Sequence, residues 1–527
     1  MVCRIFTTQG VCCCVFIFLS CLRISLTSDD KHREKTGKIE GHIILGGIFR
    51  ITQQGERPGE CGESVEVEAG IQRAEAMLYA IKEVNKDPDL LPNVTLGAEI
   101  RDSCSQENVA LDESLKFILD SLSLQTPARA AGGCVRNVTK DVVGVVGASR
   151  SSFSIEVAKL LRLFKIPQVS YASTSAELSN NKKYSYFART VPPDTQQALA
   201  MLEVINEFKW TSVFTINSAG SYGEKGIEEF KKYAKNYSIC VVSSAQVTDD
   251  YSRSQYENIV EEFSNPTLSS TTNVVVLFMK DNHVKKLLRS SWTKKWLNVT
   301  WIASDEWGTR QDVVESLDDT FWNNSNAITI TLPSPRLYKF ETYFKGLNGT
   351  ESHDTNPWFA QYWKQHCNST CNTTNPYSTT YKFNDKLPYI VDAVYAFAHA
   401  LHGMYKERCP SMRGICSKMK PVNGTILRDR IFNVSFKGKT GDVAFDKNGD
   451  SKGRYSLFLY SGHEAGYTFL GQWQKVLNLT GNTTQLKKVK SSCREDCKPG
   501  YREVKKEDTV CCYKCSVCPH KERQYGK

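Results

Sequence analysis

The sequence predicts an α/β protein of two doubly wound parallel-sheet lobes followed by a small disulfide-rich module. Three observations predict it: strand-length apolar runs alternate with helical periodicity in two successive series; the chain is 527 residues long; and six of its cysteines crowd into residues 493–518. A chain of this length exceeds what one hydrophobic core supports, so more than one core is expected. After a charged stretch at 29–38, residues 42–49 form an apolar run of strand length. Ile71, Ala74, Met77, Leu78, Ile81 and Val84 then recur at helical spacing, and Asp87-Pro88 ends that helix. Val109, Leu115, Ile118, Leu119 and Leu122 mark the face of a second helix, with Ser105 as its expected cap. Residues 142–146 read as a fully buried strand, 155–164 as a helix apolar nearly all round, and 168–171 as another short strand. This alternation implies a parallel sheet covered by helices on both faces.

A second series starts near Asp194: helix to Phe208, strand 212–216, helix 223–235, and strands 239–242 and 273–278. Beyond Leu332 first-lobe character returns, with helices near 358–366 and 387–401, so the chain crosses between lobes more than once and forms a hinge. Asp446, Asn448, Gly449 and Asp450 superficially suggest a calcium loop, but the later glycine and glutamate of such loops are absent, and a hairpin turn is expected instead.

Arg4 precedes an apolar run from Val11 to Leu22, then small polar residues from Ser25 to Ser28; this reads as a signal peptide over 1–28, too short to span a bilayer. No later run has the length of a membrane span. Sequons at Asn93, Asn137, Asn236, Asn298, Asn323, Asn348, Asn368, Asn372, Asn423, Asn433, Asn478 and Asn482 are candidate glycosylation sites, which requires those segments to face water. The net charge of +10 comes from dispersed lysines, without the basic, aromatic-interleaved block of a nucleic-acid binder.

Of 19 cysteines, Cys3, Cys12, Cys13, Cys14 and Cys21 leave with the signal peptide. The remaining ones are expected to be bridged in an oxidising compartment, with Cys367/Cys371 and Cys409/Cys416 as near pairs across loop ends. The spacing Cys512-x-x-Cys515-x-x-Cys518 also fits zinc ligands or a redox motif; the secreted context favours disulfides. The sequence ends soon after Cys518, which reads as a break within the module that leaves Cys518 unpaired. No metal or cofactor motif, nucleophile elbow or phosphate-cradling glycine loop occurs, so catalysis is not expected.

Five segments taken together resemble the metabotropic glutamate receptors, a class C family of G-protein-coupled receptors: Gly70-Ile71-Gln72-Arg73 with Glu75-Ala76-Met77; Leu160-Leu161-Arg162-Leu163-Phe164; Tyr171-Ala172-Ser173-Thr174-Ser175; Phe187 through Asp194; and Ala393-Val394-Tyr395-Ala396. The resemblance, running from about residue 44 onward, implies a bilobed Venus-flytrap domain of periplasmic-binding-protein type I, followed by an incomplete cysteine-rich domain. It implies a first lobe at 29–193 and 332–448, a second lobe at 194–331 with a return at 449–488, and the cysteine-rich start at 489–527.

It also implies a free L-amino acid as ligand, glutamate being favoured. Ser151 and Thr174 would receive the α-carboxylate on hydroxyls and backbone N–H groups near helix starts, and Ser149, Ala172 and Ser173 would also belong to the ligand site. Asp194, Asp305 and Tyr222 would hold the ammonium, with Tyr222 adding a cation–π contact of roughly 0.5–2 kcal/mol. Arg73, Arg310 and Lys386 would face the distal carboxylate. Ala69 departs from the family, which generally carries tyrosine or arginine there, and the large cation Arg150 beside Ser151 is a candidate compensation. Each residue also has a plain reading as a surface charge, helix cap or loop cover.

The family pattern pairs Cys61 with Cys104, Cys240 with Cys511, Cys367 with Cys371, Cys409 with Cys416, Cys493 with Cys512 and Cys497 with Cys515, and places Cys134 in an intersubunit bridge. It implies a homodimer through the first lobes, with 155–164 as one interface helix, and coupling to a G protein only through membrane segments absent from this sequence. The parent would then lie on the extracellular side of the plasma membrane, whereas this sequence by itself would be secreted. Rival readings are a class C domain for another amino acid, a secreted binding or decoy protein, and an extracellular hydrolase.

Overall fold

The computed structural model describes residues 35–123, 141–266, 272–348, 355–366, 381–410, 413–492, 497–505 and 511–518. The first sheet contains β1 (Gly37–Ile39), β2 (Ile43–Phe49), β3 (Leu96–Asp102), β4 (Val142–Val146), β5 (Gln168–Ser170) and β6 (Phe187–Arg189), in the order β1-β3-β2-β4-β5-β6. Only β1 runs antiparallel to its neighbour. Every residue of β2 and β3 is buried, as a parallel sheet with helices on both faces requires. On one face α1 (Gln72–Lys86) contributes Met77, Leu78 and Ile81 to the core. On the other, α2 (Glu107–Ser123) and α3 (Ser151–Leu163) bring Phe117, Ile118, Phe153, Val157 and Leu161 against Ile44, Ile48 and Val145.

The second sheet has eight strands. In chain order they are β7 (Ser212–Ser218), β8 (Cys240–Val247), β9 (Val274–Phe278), β10 (Thr300–Ala303), β11 (Asn326–Thr331), β12 (Tyr455–Tyr460), β13 (Tyr467–Trp473) and β14 (Leu477–Leu479), arranged β8-β7-β9-β10-β11-β12-β13-β14. The first five positions are parallel and the last three antiparallel. Helices α4 (Asp194–Glu207), α5 (Ser221–Ala234), α6 (Arg253–Phe263) and α7 (Asp281–Thr293) accompany the parallel strands. Between β11 and β12 the chain forms α8 (Tyr338–Gly346), α9 (Pro357–His366), α10 (Leu387–Arg408) and α11 (Gly424–Phe432). Of these, α10 packs on the first sheet so closely that a Cβ at Gly144 in β4 would lie 2.3 Å from the Phe397 ring. The chain therefore passes between the sheets three times, and the fold is the bilobed α/β architecture anticipated from the alternating pattern.

Some local expectations need correction. Ser105 does not cap α2: its hydroxyl donates to the Thr52 carbonyl (3.0 Å), and the helix begins two residues later. Leu115 and Leu119 are exposed although Val109 and Ile118 on the same helix are buried, and Leu163 and Phe164 at the end of α3 are exposed as well. An apolar period reports a face, not what covers it.

The bridges Cys61–Cys104, Cys240–Cys511, Cys409–Cys416 and Cys497–Cys515 are present, Cys512 is disulfide-bonded, and Cys518 is free. Cys134, Cys367, Cys371 and Cys493 lie outside the described residues. The same holds for Asn137, Asn368 and Asn372; of the other sequon asparagines Asn348 is half-buried and the rest are exposed. Among the described residues no helix is long and apolar enough to cross a membrane.

The segment carrying Asp446 to Asp450 is a turn. Asp446 Oδ1 accepts from the N–H groups of Asn448 (2.8 Å) and Asp450 (3.0 Å), and Phe445 pairs with Ser451 across it. Asp450 pairs with Arg189: the Arg189 side chain is fully buried at the end of β6, and its Nε donates to Asp450 Oδ1 at 2.7 Å. Nη1 donates to the carbonyls of Ser173 (3.0 Å) and Ser175 (2.9 Å), and Nη2 to Ser179 Oγ (2.7 Å). Removing one partner of such a pair leaves a charge buried without compensation. Arg189→Ala or Asp450→Ala is expected to cost about 3–5 kcal/mol in urea unfolding, and the paired Arg189→Met/Asp450→Leu substitution less than either single change. Single variants with unchanged stability would remove the pair from its anchoring role.

Candidate functional site

The carboxyl ends of β2, β4 and β5 lie side by side, the position where open α/β sheets present loops and helix starts to ligands. Arg50 follows β2, Ser149 to Ser151 follow β4, and Tyr171 to Thr174 follow β5. Arg73 stands in the first turn of α1, its guanidinium 5.7 Å from the centre of the Tyr171 ring and its Nε donating to Asn384 Oδ1 at 3.1 Å. Phe49 stacks on the Tyr171 ring at 5.5 Å. Gly70 permits this assembly: a Cβ there would lie 2.7 Å from the Ile51 carbonyl oxygen and 2.9 Å from that of Arg50, so the strand end abuts the helix start. The Tyr171 hydroxyl is buried beside Arg73 and Ser149, without a hydrogen-bond partner among the described residues, and burial raises its pKa against the opposing pull of Arg73.

The serine-rich loop is held by its own hydroxyls. Ser151 Oγ accepts from the Ser175 N–H (3.1 Å); Ser173 Oγ donates toward Ser154 Oγ (2.8 Å) and the Ala148 carbonyl (3.2 Å). Ser170 Oγ accepts from the N–H groups of Ala172 (3.3 Å) and Ser173 (3.0 Å). The Ser173 side chain is thus occupied by scaffolding, and in this arrangement it has no hydroxyl to spare for a ligand. The Thr174 carbonyl accepts the Asp194 N–H at 2.7 Å, joining this loop to the first residue of α4.

An acidic group faces it. Tyr222 Oη donates to Asp305 Oδ1 (3.1 Å), and Gln197 Nε2 reaches both Asp194 Oδ1 (3.3 Å) and Asp305 Oδ1 (3.1 Å). Gly223 sets α5 close enough for this, since a Cβ there would lie 2.1 Å from the Ser218 carbonyl oxygen. The other Asp194 oxygen, Oδ2, is buried without a hydrogen-bond partner among the described residues. Burial, and next the neighbouring Asp305 carboxylate, hold Asp194 well above the usual carboxylate range, with Thr174 working in the opposite direction. Burial, Asp305 and Asp194 likewise raise the Tyr222 phenol, which stays a donor.

The three cations expected at a distal carboxylate are not equivalent. Lys386 Nζ, carried on the first-lobe side, lies 3.3 Å from Asp305 Oδ2 and 3.2 Å from Asp385 Oδ2; burial works against its charge, but Asp385, Asp305 and Glu306 outweigh it and raise its pKa. It bridges the lobes. Arg310 is exposed and paired with Asp281 (2.8 Å) and Asp312 (3.0 Å), so its charge is already balanced. Only Arg73 of the three has no ion pair among the described residues. Sequence reasoning missed Arg50, Gln197, Asn384 and the structural role of Arg189. Arg50 alone carried a signal, a charged residue directly after the buried run of β2, where parallel strands deliver side chains to a crevice.

Residues 72–463 match the family described as receptor family ligand binding region. The chain is 36% identical to metabotropic glutamate receptor 4 of Mus musculus over 515 residues, which covers 91% of this chain and 55% of the relative. The Rattus norvegicus receptor of the same name gives 36% over 517 residues, and that of Macaca fascicularis 36% over 515, with the same coverage. The chain thus spans about half the length of these curated relatives.

Because folding raises the proton affinity of Asp194, its contribution to stability is fully present below the ordinary carboxylate pKa of about 4 and is lost as pH rises through the higher folded value. Asp194→Asn is expected to flatten that part of the pH–stability curve relative to wild type and to leave the neutral-pH melting temperature equal or higher. The same change should weaken amino-acid binding about 10- to 100-fold, the worth of a charge-assisted hydrogen bond. A variant that binds as well as wild type would exclude Asp194 as the ammonium acceptor.

Proposed function

The chain belongs to the receptor family ligand-binding region, as a metabotropic-glutamate-receptor-like extracellular domain, and from that premise we propose that its cleft senses a free acidic L-amino acid, glutamate being favoured. One pair of observations carries this reading: Asp194 Oδ2 is buried without a hydrogen-bond partner, and the Arg73 guanidinium, at the carboxyl ends of the first-sheet strands, has no ion pair, both among the described residues. A zwitterion with a second carboxylate offers an ammonium to the first and an anion to the second. Arg73, Ser151 and Thr174 on the first lobe make the initial capture, with the α-carboxylate over the start of α3. Asp194, Tyr222 and Asp305 engage as the second lobe swings in.

Ligand gains these latter contacts only in the closed form, so its differential affinity sets the shift in population. The Lys386 to Asp305 ion pair supports closure along this line, since it already spans the cleft. We further propose a dimer through the first lobes. The exposed Leu115, Leu119, Leu163 and Phe164 support it. The Cys240–Cys511 bridge ties β8 to the C-terminal ribbon formed by Tyr501–Lys505 and Tyr513–Val517, a covalent route by which lobe movement leaves the domain. The matched proteins are receptors, and the role proposed for this chain needs no catalytic step.

Calorimetric titration of the purified chain with glutamate is expected to show binding, with serine, glycine and lysine weaker by about tenfold or more; neutral ligands outcompeting glutamate would refute an acidic pocket. Cys134→Ala should run as a monomer on non-reducing electrophoresis, and a persistent covalent dimer would reject Cys134 as the intersubunit bridge.

A further inference from the structure

We propose that a cavity between α1 and α8, on the first lobe, binds a small phosphate monoester carried on an aromatic ring. Tyr79, Lys82, Glu83 and Lys86 of α1 and Lys339 and Tyr343 of α8 line it, and its volume is about 240 Å³. The α1 residues fall at i, i+3, i+4 and i+7 and the α8 residues at i and i+4, so each helix turns one face to the cavity. Its aromatic wall is fixed by packing: Tyr79 meets the wholly buried Phe340 edge-on at 5.6 Å and lies 5.2 Å from Tyr343. None of these residues belongs to the cleft, so amino-acid binding there and phosphate binding here hold or fail separately.

Lys82 is held from beneath. Its Nζ donates to Tyr343 Oη at 3.2 Å, and that hydroxyl donates in turn to Glu75 Oε2 at 2.9 Å. Glu75 is 1% exposed, and Asn356 Nδ2 donates to its other oxygen at 2.7 Å. Burial, the largest influence, raises the Glu75 pKa against the hydrogen bonds from Asn356 and Tyr343 and the charge of Lys82. Unpaired lysines are ordinary on a protein surface. Lys82 differs because a buried relay fixes its ammonium at the wall of a cavity. Glu83 and Lys86 pair with each other at 2.8 Å, which leaves Lys82 and Lys339 as the uncompensated charges of the lining. Two positive charges match the phosphate monoester, close to a dianion at neutral pH, better than a carboxylate or sulfate monoester with one. The volume far exceeds what one or two waters need, leaving room beside the phosphate for an organic body that the half-buried Tyr79 and Tyr343 rings cover by stacking. Helix α1 also carries Arg73 in its first turn, and α8 follows the second passage between the sheets, so an occupant joins a helix that positions a candidate ligand residue to the segment leaving the hinge.

The test is calorimetric titration of the full chain with phenyl phosphate, phenyl sulfate and inorganic phosphate. Wild type is expected to bind phenyl phosphate about tenfold tighter than either of the others. Lys82→Gln and Lys339→Gln are each expected to weaken phenyl phosphate by about tenfold. Lys339 is exposed, so its variant keeps the test readable should Lys82→Gln fail to fold. No binding of phenyl phosphate at about 10 mM, or an affinity unchanged in both lysine variants, overturns the proposal. Equal binding of inorganic phosphate overturns the aromatic body, and equal binding of phenyl sulfate overturns the match to two charges.

Discussion

The buried pair of Arg189 with Asp450 is the contact on which the rest of the cleft depends. One guanidinium spends its donors on the turn between the lobes and on both ends of the Ser173–Ser175 loop, which it holds from behind. That loop carries Thr174, whose carbonyl receives the first N–H of α4, so the same contact also sets where the second lobe begins. Placing a full charge in the interior is costly unless every donor is used. Here four hydrogen bonds, one of them to the Asp450 carboxylate, engage all three guanidinium nitrogens and fasten the loop to the scaffold.

The cleft is electrically divided. Its acidic end holds Asp194 and Asp305 close enough to raise the proton affinity of Asp194, and its basic end holds Arg73, which forms no ion pair among the described residues, and Arg50, whose pKa burial lowers. Perturbed charges of this kind cluster at functional sites, which supports the proposal of a charged ligand. Lys386 occupies Asp305 from the first-lobe side, which leaves Asp194 Oδ2 as the acceptor still open. On the proposed reading, an incoming ammonium finds one neutralised and one unsatisfied carboxylate, and the second gives it the larger gain.

Arg310 and Lys386 differ from Arg73 in the carboxylates that surround them. Both lie in the chain where cations for a distal carboxylate are expected, yet each is engaged by aspartates in this arrangement. Of the three, Arg73 forms no ion pair among the described residues, and its place in the first turn of α1 anchors it to the rigid part of the scaffold.

The sequence by itself determined the two-sheet α/β class, because full burial of parallel strands forces unbroken apolar runs such as 43–49 and 274–278, while α1 and α4 announce themselves by period and by flanking prolines. It also offered Arg73 and Asp194 as candidates, through short motifs whose order along the chain matched a known pattern, and Tyr222 and Asp305 through the family resemblance. What only the tertiary structure decided are the pairings between residues far apart in sequence. Asp450 reads locally as a turn residue, and its partner Arg189 lies 261 residues away. Ser105 reads as a cap until Thr52 takes its hydroxyl, and Arg50 reads as a loop charge until Gly70 draws the strand end against α1. Periodicity encodes which face of an element is apolar; it carries no record of which charge ends beside which, because that depends on how loops from separate strands converge at one edge of a sheet.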